Sequence, residues 1–244
     1  MAQKYPLFSL ENVDSTQAEL KRKLSVTGTL APFTTVAAKS QTTGRGRGVS
    51  VWQDEPGKCA LFSVYVPWIP KLKNSFLVNQ WVCHSLRSIL PSSIGFKWPN
   101  DLMVGDRKLG GMLIENHWSG GDIKSSIIGI GLNVMKPERL LKRAISLEEL
   151  GLDIDPDSVI KEVLHCFESQ IGTAQNHVLL HRRYEDMLWG REAFKSYRLE
   201  SGEVIQAKVS GIEPLGRLIL EDESGKLRSY DIDAVKWIDP YQNS

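Results

Sequence analysis

The chain has 244 residues, of which 41% are hydrophobic and 24% charged, a composition typical of a globular protein with a sizeable core. Its formal net charge of +1 disfavours a dedicated nucleic-acid-binding protein, because such proteins carry a marked basic excess. No apolar run approaches the ~20 residues of a membrane span, and the N-terminal residues lack a signal-peptide pattern. We therefore expect a cytoplasmic protein without a membrane partner.

The first part of the chain alternates between helix-like and strand-like segments. Asp14 or Ser15 can cap a helix over TQAELKRKL, because a short oxygen side chain accepts from free first-turn N–H groups. A second helix is predicted over FLVNQWVCHSLRSIL, ended by Pro91. Strands are predicted over FTTVAAK, CALFSVYV, GFKW, KLGGMLIENHW and SSIIGIGLNV. CALFSVYV is apolar almost throughout, which indicates burial on both faces.

Turn and cap residues predict a hairpin and two further helices. Gly105 and Asp106 predict a tight hairpin turn between DLMV and KLGGMLIE. Ser146 and Glu149 have the spacing of a capping box, and helices are predicted over DPDSVIKEVLHCFESQ and the segment ending near Leu188.

The sequence pattern changes near Ala193, where short segments of alternating apolar and polar residues are separated by glycines. Turn signals at regular spacing with no helix between them predict a small antiparallel β-barrel. The sequence thus predicts an α+β body with a mixed sheet over residues 1–192 and a small β-barrel over 193–244. The three cysteines, Cys59, Cys83 and Cys166, are widely spaced and are predicted to be buried free thiols.

Two segments carry candidate chemistry. In SQTTGRGRGVSVW, residues 40–52, glycines let the backbone lie over a ligand, and Arg45 and Arg47 are suited to negative charge. In GFKWPNDLMVGDRKLGG, two lysines flank Asn100 and Asp101 within apolar strands, and buried lysines are rare unless an anion pairs with them. Each segment alone also fits an ordinary solvated loop or turn, as does GIGLN at 129–133.

Taken in order, these segments resemble the biotin protein ligase family. The resemblance rests on DSTQ (14–17), SQTTGRGRG (40–48), KWPND (97–101), KLGGMLIE (108–115) and GIGLN (129–133), and it covers nearly the whole chain. KWPND followed closely by KLGG is its most specific part. Because few residues precede DSTQ, we expect the monofunctional type, which lacks the DNA-binding domain of the repressor-ligases and therefore has no DNA partner.

The resemblance implies an activity and a carrier. Family members use ATP and Mg²⁺ to convert biotin into biotinyl-5′-adenylate, and they transfer the biotinyl group to one lysine of a biotin carboxyl carrier protein or domain. The implied enzyme is a biotin–[acetyl-CoA-carboxylase] ligase. The oligomeric state stays open, a homodimer included.

The resemblance also implies site residues. Lys108 matches the lysine that contacts the biotin carboxylate and the α-phosphate, and with Arg45 and Arg47 it forms the implied catalytic set. The implied biotin-binding residues are Ser15, Thr16, Gln41, Gly44, Arg45, Lys108, Gly110, Gly111, Gly129 and Gly131. The implied residues for ATP and the adenylate are Arg45, Arg47, Trp52, Lys97, Asn100, Lys108 and Asn133. Asp101 is the implied contact for Mg²⁺.

One departure from the family pattern lies in the loop. Relatives commonly read GRGRRGRxW, whereas this chain has Gly48 and Ser50 where arginines are usual. Lipoate ligases and octanoyl transferases of the same fold are an alternative interpretation, although their arginine–serine–glycine signature is absent. A nucleic-acid-binding module is the alternative from another class, and the low net charge argues against it.

Overall fold

The computed structural model describes residues 5–48, 50–138 and 143–239. Seven strands form a mixed sheet with the order β1-β2-β3-β7-β6-β5-β4, in which β1 and β2 are parallel and the other neighbours antiparallel. The strands are β1 (Leu7–Val13), β2 (Thr35–Gln41), β3 (Cys59–Leu72), β4 (Gly95–Lys97), β5 (Asp101–Val104), β6 (Arg107–Ser119) and β7 (Asp122–Asn133).

Helices cover both faces of this sheet. They are α1 (Thr16–Thr27), α2 (Ser75–Arg87), α3 (Pro156–Gln170) and α4 (His177–Asp186). Leu20 of α1 packs with Tyr65 and Ile127 on one face, whereas α2 and α3 pack with Val64 on the other. Neighbouring side chains of β3 thus enter different cores, because they alternate across a strand. The predicted burial of CALFSVYV on both faces is confirmed.

Several elements differ from the sequence-based expectations. The second helix ends at Arg87 rather than near Pro91, because the Arg87 guanidinium bonds the carbonyl groups of Pro91 and Ile94 and the chain turns around it. Strand β3 continues past CALFSVYV to Leu72 along β7. Strand β1 was not predicted. The reciprocal Ser146–Glu149 bonds are confirmed, but they precede only a single 3-10 turn.

The C-terminal part is an antiparallel five-stranded sheet with the order β11-β10-β9-β8-β12. Its strands are β8 (Lys195–Leu199), β9 (Val204–Ile212), β10 (Leu218–Asp222), β11 (Leu227–Tyr230) and β12 (Val235–Trp237). The predicted fold class, a mixed sheet flanked by helices and followed by a small β module, is confirmed. Within the described residues no ladder joins β11 to β12, so the strand pairing leaves the barrel open.

The two sheets share one hydrophobic core. The Trp98 indole donates to the Gly216 carbonyl over 2.9 Å, and Asn74 donates to the Pro214 carbonyl over 2.8 Å. The second sheet therefore packs beside the β4–β5 end of the first. The domain boundary at 192/193 stays a prediction.

Cys59, Cys83 and Cys166 are free and buried, as predicted, and burial raises the pKa of each thiol above its ordinary value. Among the described helices, none is both long enough and apolar enough to cross a membrane.

Candidate active site

A small cavity lies where the first turn of α1 meets strands β3, β6 and β7, beneath the loop of residues 40–52, which we call the lid. Its free volume is about 50 Å³. The predicted site residues that line it are Ser15, Thr16, Gln41, Arg45, Trp52, Asn100, Lys108, Gly111, Gly129 and Gly131. We call its wall formed by residues 15–17, Ser63, Lys108, 111–112 and 129–131 the floor. Segments far apart in the sequence thus converge on one pocket.

The closed end of the cavity is built from polar groups that bind one another. Ser15 caps α1 by accepting from the Ala18 N–H, which brings Thr16 to the cavity. The Thr16 N–H donates to Gln41 Oε1 over 2.8 Å, and the Thr16 and Ser63 hydroxyl groups are 2.9 Å apart. Both hydroxyl side chains are almost fully buried. This end is therefore pre-organised for a polar ligand group.

The open end carries a chain of three charges. Lys108 Nζ lies 2.6 Å from Asp101 Oδ1, and Lys97 Nζ lies 3.2 Å from Asp101 Oδ2. Burial alone would raise the pKa of the Asp101 carboxyl, but the two ammonium groups outweigh it and hold this pKa below the ordinary 3.8. Burial lowers the pKa of Lys97, and Asp101 opposes that shift. Two cations thus share one carboxylate, which leaves net positive charge beside the cavity.

Trp52 closes the cavity from above. A β-carbon at Gly131 would lie 2.8 Å from the Trp52 ring, so the indole rests directly on the glycine backbone. Lys108 Nζ lies 5.6 Å from the centre of the same ring. The Trp52 Nε1–H group is buried and has no hydrogen-bond partner among the described residues. The indole therefore fills the space over the floor, although its N–H group makes no hydrogen bond to the described residues.

The lid is a short hairpin between Gly44 and Trp52. The Trp52 N–H donates to the Gly44 carbonyl and the Gly46 N–H to the Ser50 carbonyl, with Gly48 in the left-handed region at φ 61°. Val49 lies outside the described residues. Gly48 thus supplies the left-handed residue of this turn, and Ser50 contributes its backbone carbonyl.

The two lid arginines differ in placement. Arg45 lines the cavity. Arg47 is not among the lining residues and pairs with Asp233, between β11 and β12 of the second sheet. The lid is thereby tied to the C-terminal sheet.

Other predicted residues lie next to the cavity rather than in its lining. Asn133 donates to the carbonyl groups of Lys108 and Ile145, both over 3.2 Å, so it braces the Lys108 backbone. Gly110 packs against Leu132, and Gly44 contacts Gln41 and Trp52. Lys97 lies under Trp237, with Nζ 5.0 Å from the ring centre.

Comparison with known proteins decides the family. The family model described as "Biotin/lipoate A/B protein ligase family" matches residues 9–133, which is more than half of the chain. A bifunctional ligase/repressor BirA from Bacillus subtilis is 30% identical over 243 residues, covering 92% of this chain and 71% of that protein. The chain belongs to the biotin/lipoate A/B protein ligase family.

Two further family members extend the comparison. A biotin–[acetyl-CoA-carboxylase] ligase from Paracoccus denitrificans is 29% identical over 130 residues, covering 51% of this chain and 53% of that one. The structure of the biotin protein ligase from Aquifex aeolicus in complex with biotin and ATP superposes with a TM-score of 0.74 at 25% identity, covering 96% of this chain and 99% of that one. The likeness includes the second sheet as well as the first.

Sequence reasoning missed two polar residues of this cavity. Gln17 and Ser63 both line the cavity and are buried. Gln17 directly follows Ser15 and Thr16 in DSTQ, and a polar residue early in a predicted helix was the available signal. Ser63 lies in the apolar run CALFSVYV and faces the cavity only because β3 pairs with β7 in the register Ser63↔Gly129.

The residues present do not form a protein-built magnesium site. Both carboxylate oxygens of Asp101 are paired with lysine ammonium groups, and no group of three or more His, Cys, Asp or Glu residues clusters in the described ranges. Mg²⁺ is usually held by one or two carboxylates together with substrate phosphates. The Asp101–Mg²⁺ contact stays a prediction.

Proposed function

We propose that this chain is a biotin protein ligase that converts biotin and ATP into biotinyl-5′-adenylate and pyrophosphate, and then passes the biotinyl group to a carrier lysine. The observation that carries the proposal is one cavity with a polar closed end and the Lys108 ammonium group at its open end. A ligand with a polar ring and a carboxylate tail fits this polarity. The Aquifex relative, which holds biotin and ATP, supports the choice of substrates.

In the first step, a carboxylate oxygen of biotin attacks the α-phosphorus of ATP, and pyrophosphate leaves. Both reactants are anions, so their approach needs a cation that is already in place. Asp101 and the Asn133 bond to the Lys108 carbonyl hold Lys108 over Gly111. Lys108 then neutralises the carboxylate and the α-phosphate together. Its catalytic role follows from this double contact.

The nucleotide lies between Lys108 and the second sheet in this proposal. Lys97 and Asn100 are on that side, with Trp237 over Lys97. Asn133 acts indirectly, by donating a hydrogen bond to the Lys108 carbonyl group. A Mg²⁺ ion held by the nucleotide phosphates would offset part of their charge. Trp52 contacts the adenine once the lid has rearranged.

Biotin binding requires the lid to move. A free volume of about 50 Å³ is far below the 300–1,000 Å³ of ordinary ligand pockets, and the Trp52 indole fills the space over Gly131. The bicyclic ring therefore displaces Trp52 from the floor. Ser15, Thr16 and Gln41 then contact the ureido group, and Arg45 and Arg47 close over the adenylate. Exclusion of water protects the mixed anhydride from hydrolysis.

In the second step, the ε-amine of a carrier lysine attacks the acyl carbon, AMP leaves with the former carboxylate oxygen, and the amine loses a proton. We infer that the carrier is the biotin carboxyl carrier domain of acetyl-CoA carboxylase, because the Paracoccus relative is named for that substrate. Three free thiols are consistent with a reducing compartment such as the cytoplasm.

ATP–pyrophosphate exchange tests the proposal. Biotin, lipoate and octanoate are supplied in turn, and we expect exchange with biotin alone. Adding a purified carrier domain should then produce carrier that binds streptavidin. Exchange with lipoate or octanoate at a rate equal to that with biotin would assign the chain to the lipoate branch of the family instead.

A further inference from the structure

The backbone of Lys108 lies beyond the end of the ladder between β6 and β7. Backbone pairing of these two strands begins at Gly110, and the register between β5 and β6 shifts by one residue at Leu109. Such a bulge bends the strand locally and changes the direction of the side chains next to it. The neighbouring strands therefore fix the direction of Lys108 less firmly than that of the residues after the bulge.

A segment that follows β7, residues 143–149, continues the pairing beside Lys108. The Lys108 N–H donates to the Arg143 carbonyl over 2.6 Å, and the Ile145 N–H donates to the Lys108 carbonyl over 3.0 Å. Lys108 and Ala144 thus form an isolated parallel bridge. On this side, segment 143–149 holds the backbone of Lys108.

Arg107 binds this segment to β6. Its Nε and Nη2 groups donate to the Ala144 carbonyl over 3.1 and 2.6 Å, and Nη2 also donates to Glu149 Oε1 over 2.7 Å. Glu149 Oε2 in turn accepts from the N–H and hydroxyl groups of the fully buried Ser146. A planar guanidinium group suits such a forked contact, which a lysine ammonium group does not reproduce. One side chain thus holds both ends of the segment.

The partners of Arg107 separate it from the substrates of the proposed reaction. Arg107 is not among the residues that line the cavity, whereas its neighbour Lys108 is. Burial alone would raise the pKa of Glu149, but the bonds from Arg107 and Ser146 outweigh it and hold this pKa below the ordinary 4.5. The carboxylate therefore stays ionised at pH 7 and keeps Arg107 engaged. Any contribution of Arg107 to the chemistry thus has to pass through Lys108.

We propose that Arg107 is a positioning residue for the first step of the reaction. By holding segment 143–149 against β6, it fixes the Lys108 backbone and so the place of the Lys108 ammonium group between the two reacting anions. A displacement of about 1 Å at the reacting groups can lower a rate about 100-fold, even when the substituted residue is distant from the chemistry. This inference rests on the proposed function and adds a residue to it.

Arg107→Met is the main variant, because methionine keeps an unbranched apolar stem and removes every hydrogen bond of the guanidinium group. We expect the kcat of ATP–pyrophosphate exchange to fall about 10- to 100-fold. The KM for ATP and the Kd for biotin should change by at most about threefold. The lining residues are unchanged, so the substrates still bind, but the Lys108 ammonium group is less often in place when they meet.

Arg228→Met is the matched control. Arg228 is also a half-exposed arginine on a strand, and it pairs with Asp222 in the second sheet, outside the cavity lining. We expect its kcat to equal that of the wild type. Because exposed ion pairs contribute little to stability, the Tm of both variants should stay close to that of the wild type. An Arg107→Met protein that is partly unfolded at the assay temperature would make Arg107 a structural residue instead.

A double variant shows whether Arg107 acts through Lys108. If it does, Arg107→Met should have no further effect on single-turnover adenylate formation in the Lys108→Ala background, because the ammonium group that it positions is absent. Losses that multiply in the double variant would mean that Arg107 acts on another group, and the assignment would be wrong.

Hydrogen exchange measures the hold of Arg107 on the segment without any substrate. In Arg107→Met the N–H groups of Lys108 and Ile145 should exchange about tenfold faster or more, because the bonds between β6 and the segment open more often. The N–H groups of β3, in the centre of the sheet, should exchange as in the wild type. Unchanged exchange at Lys108 and Ile145 would show that Arg107 does not hold the segment.

The outcomes separate the two claims. If the wild type catalyses no biotin-dependent exchange of pyrophosphate, the proposed function is wrong and this assignment falls with it, whatever the hydrogen exchange shows. If the wild type is active and Arg107→Met has the same kcat, the assignment alone is wrong.

Discussion

The floor and the lid meet the same cavity but are built differently. The floor lies between three strands and a helix and is largely buried apart from the Lys108 side chain, and its Thr16 and Ser63 hydroxyl groups hold each other by a hydrogen bond. The lid is a short hairpin on the surface, and its Arg47 is paired with the second sheet. Burial strengthens the contacts of the buried floor residues, whereas solvent weakens the ion pair that the lid makes through Arg47 and lets it exchange. We therefore expect substitutions in the floor to have larger effects than those in the lid.

Lys108→Ala is expected to have the largest effect. It removes from the floor the cation that faces both reacting anions, and losing one such donor typically lowers the rate about 100- to 1,000-fold. ATP–pyrophosphate exchange measures the loss, and circular dichroism checks the fold.

Lys161→Ala is the control for Lys108→Ala, because Lys161 is exposed on α3. Its exchange rate should equal that of the wild type. Near-wild-type exchange in Lys108→Ala would remove Lys108 from the mechanism.

A matched pair of glycine substitutions sharpens the comparison. A methyl group at Gly131 in the floor would lie 2.8 Å from the Trp52 ring, in the space that the ligand ring needs. We expect Gly131→Ala to weaken biotin binding about tenfold or more, as overpacking of buried sites does. Gly48→Ala in the lid meets no atom within 4 Å and only strains a backbone at φ 61°. Calorimetry should show at most about a threefold change in its Kd for biotin. Equal losses of biotin affinity in the two variants would contradict the expected difference between the floor and the lid.

Sequence patterns predicted most elements of both regions, because local periodicity and turn residues encode them. Strand β1 escaped prediction because LFSLENV has little alternation, and its partner β2 is distant in the sequence and parallel to it. The predicted end of the helix after Asn74 is wrong, because side-chain bonds of Arg87 to two later carbonyl groups decide where the helix ends.

The residues of the site could be predicted from the sequence, whereas several of their contacts could not. Segments such as KWPND and KLGG indicate the site residues, and most of the predicted site residues line one cavity in the structure. The chain of charges from Lys97 through Asp101 to Lys108 depends on the β4–β5–β6 register, which sequence alone does not fix. The place of Gln17 in the cavity wall likewise depends on the packing of α1 against β7. The pairing of Arg47 with Asp233 joins residues 186 positions apart, which no local pattern reveals.

One substitution applied to two carboxylates compares the stabilities of the two regions. Asp101→Asn leaves Lys97 and Lys108 facing each other in a mostly buried place, and we expect a loss of about 1–3 kcal/mol in unfolding free energy at pH 7. Asp233→Asn, at an exposed pair, should show no measurable loss. Urea unfolding of both variants and the wild type measures the difference.

The pH dependence of that loss has a defined sign. The lysines depress the folded pKa of Asp101 below 3.8, so its stabilisation is present above pH 3.8 and disappears as the pH falls through the lower folded value. The gap between the wild type and Asp101→Asn should therefore be full at pH 7 and shrink below pH 3.8. A gap that stays constant down to the acid unfolding transition would show that charge pairing is not its cause.

A small effect is also expected of Asp233 on the lid during catalysis. In the proposed mechanism Arg47 must leave Asp233 to close over the adenylate, so Asp233→Asn removes a competitor for Arg47. Because exposed ion pairs are weak, we expect release of preformed radiolabelled adenylate to slow by at most about fivefold, and the difference to vanish at high salt. Arg47→Gly should release adenylate faster than the wild type. Asp233→Asn should have no effect in the Arg47→Gly background, because its partner is then absent. An Asp233 effect that persists in the double variant would mean that this carboxylate acts on another group, and the competition between Asp233 and the adenylate for Arg47 would be refuted.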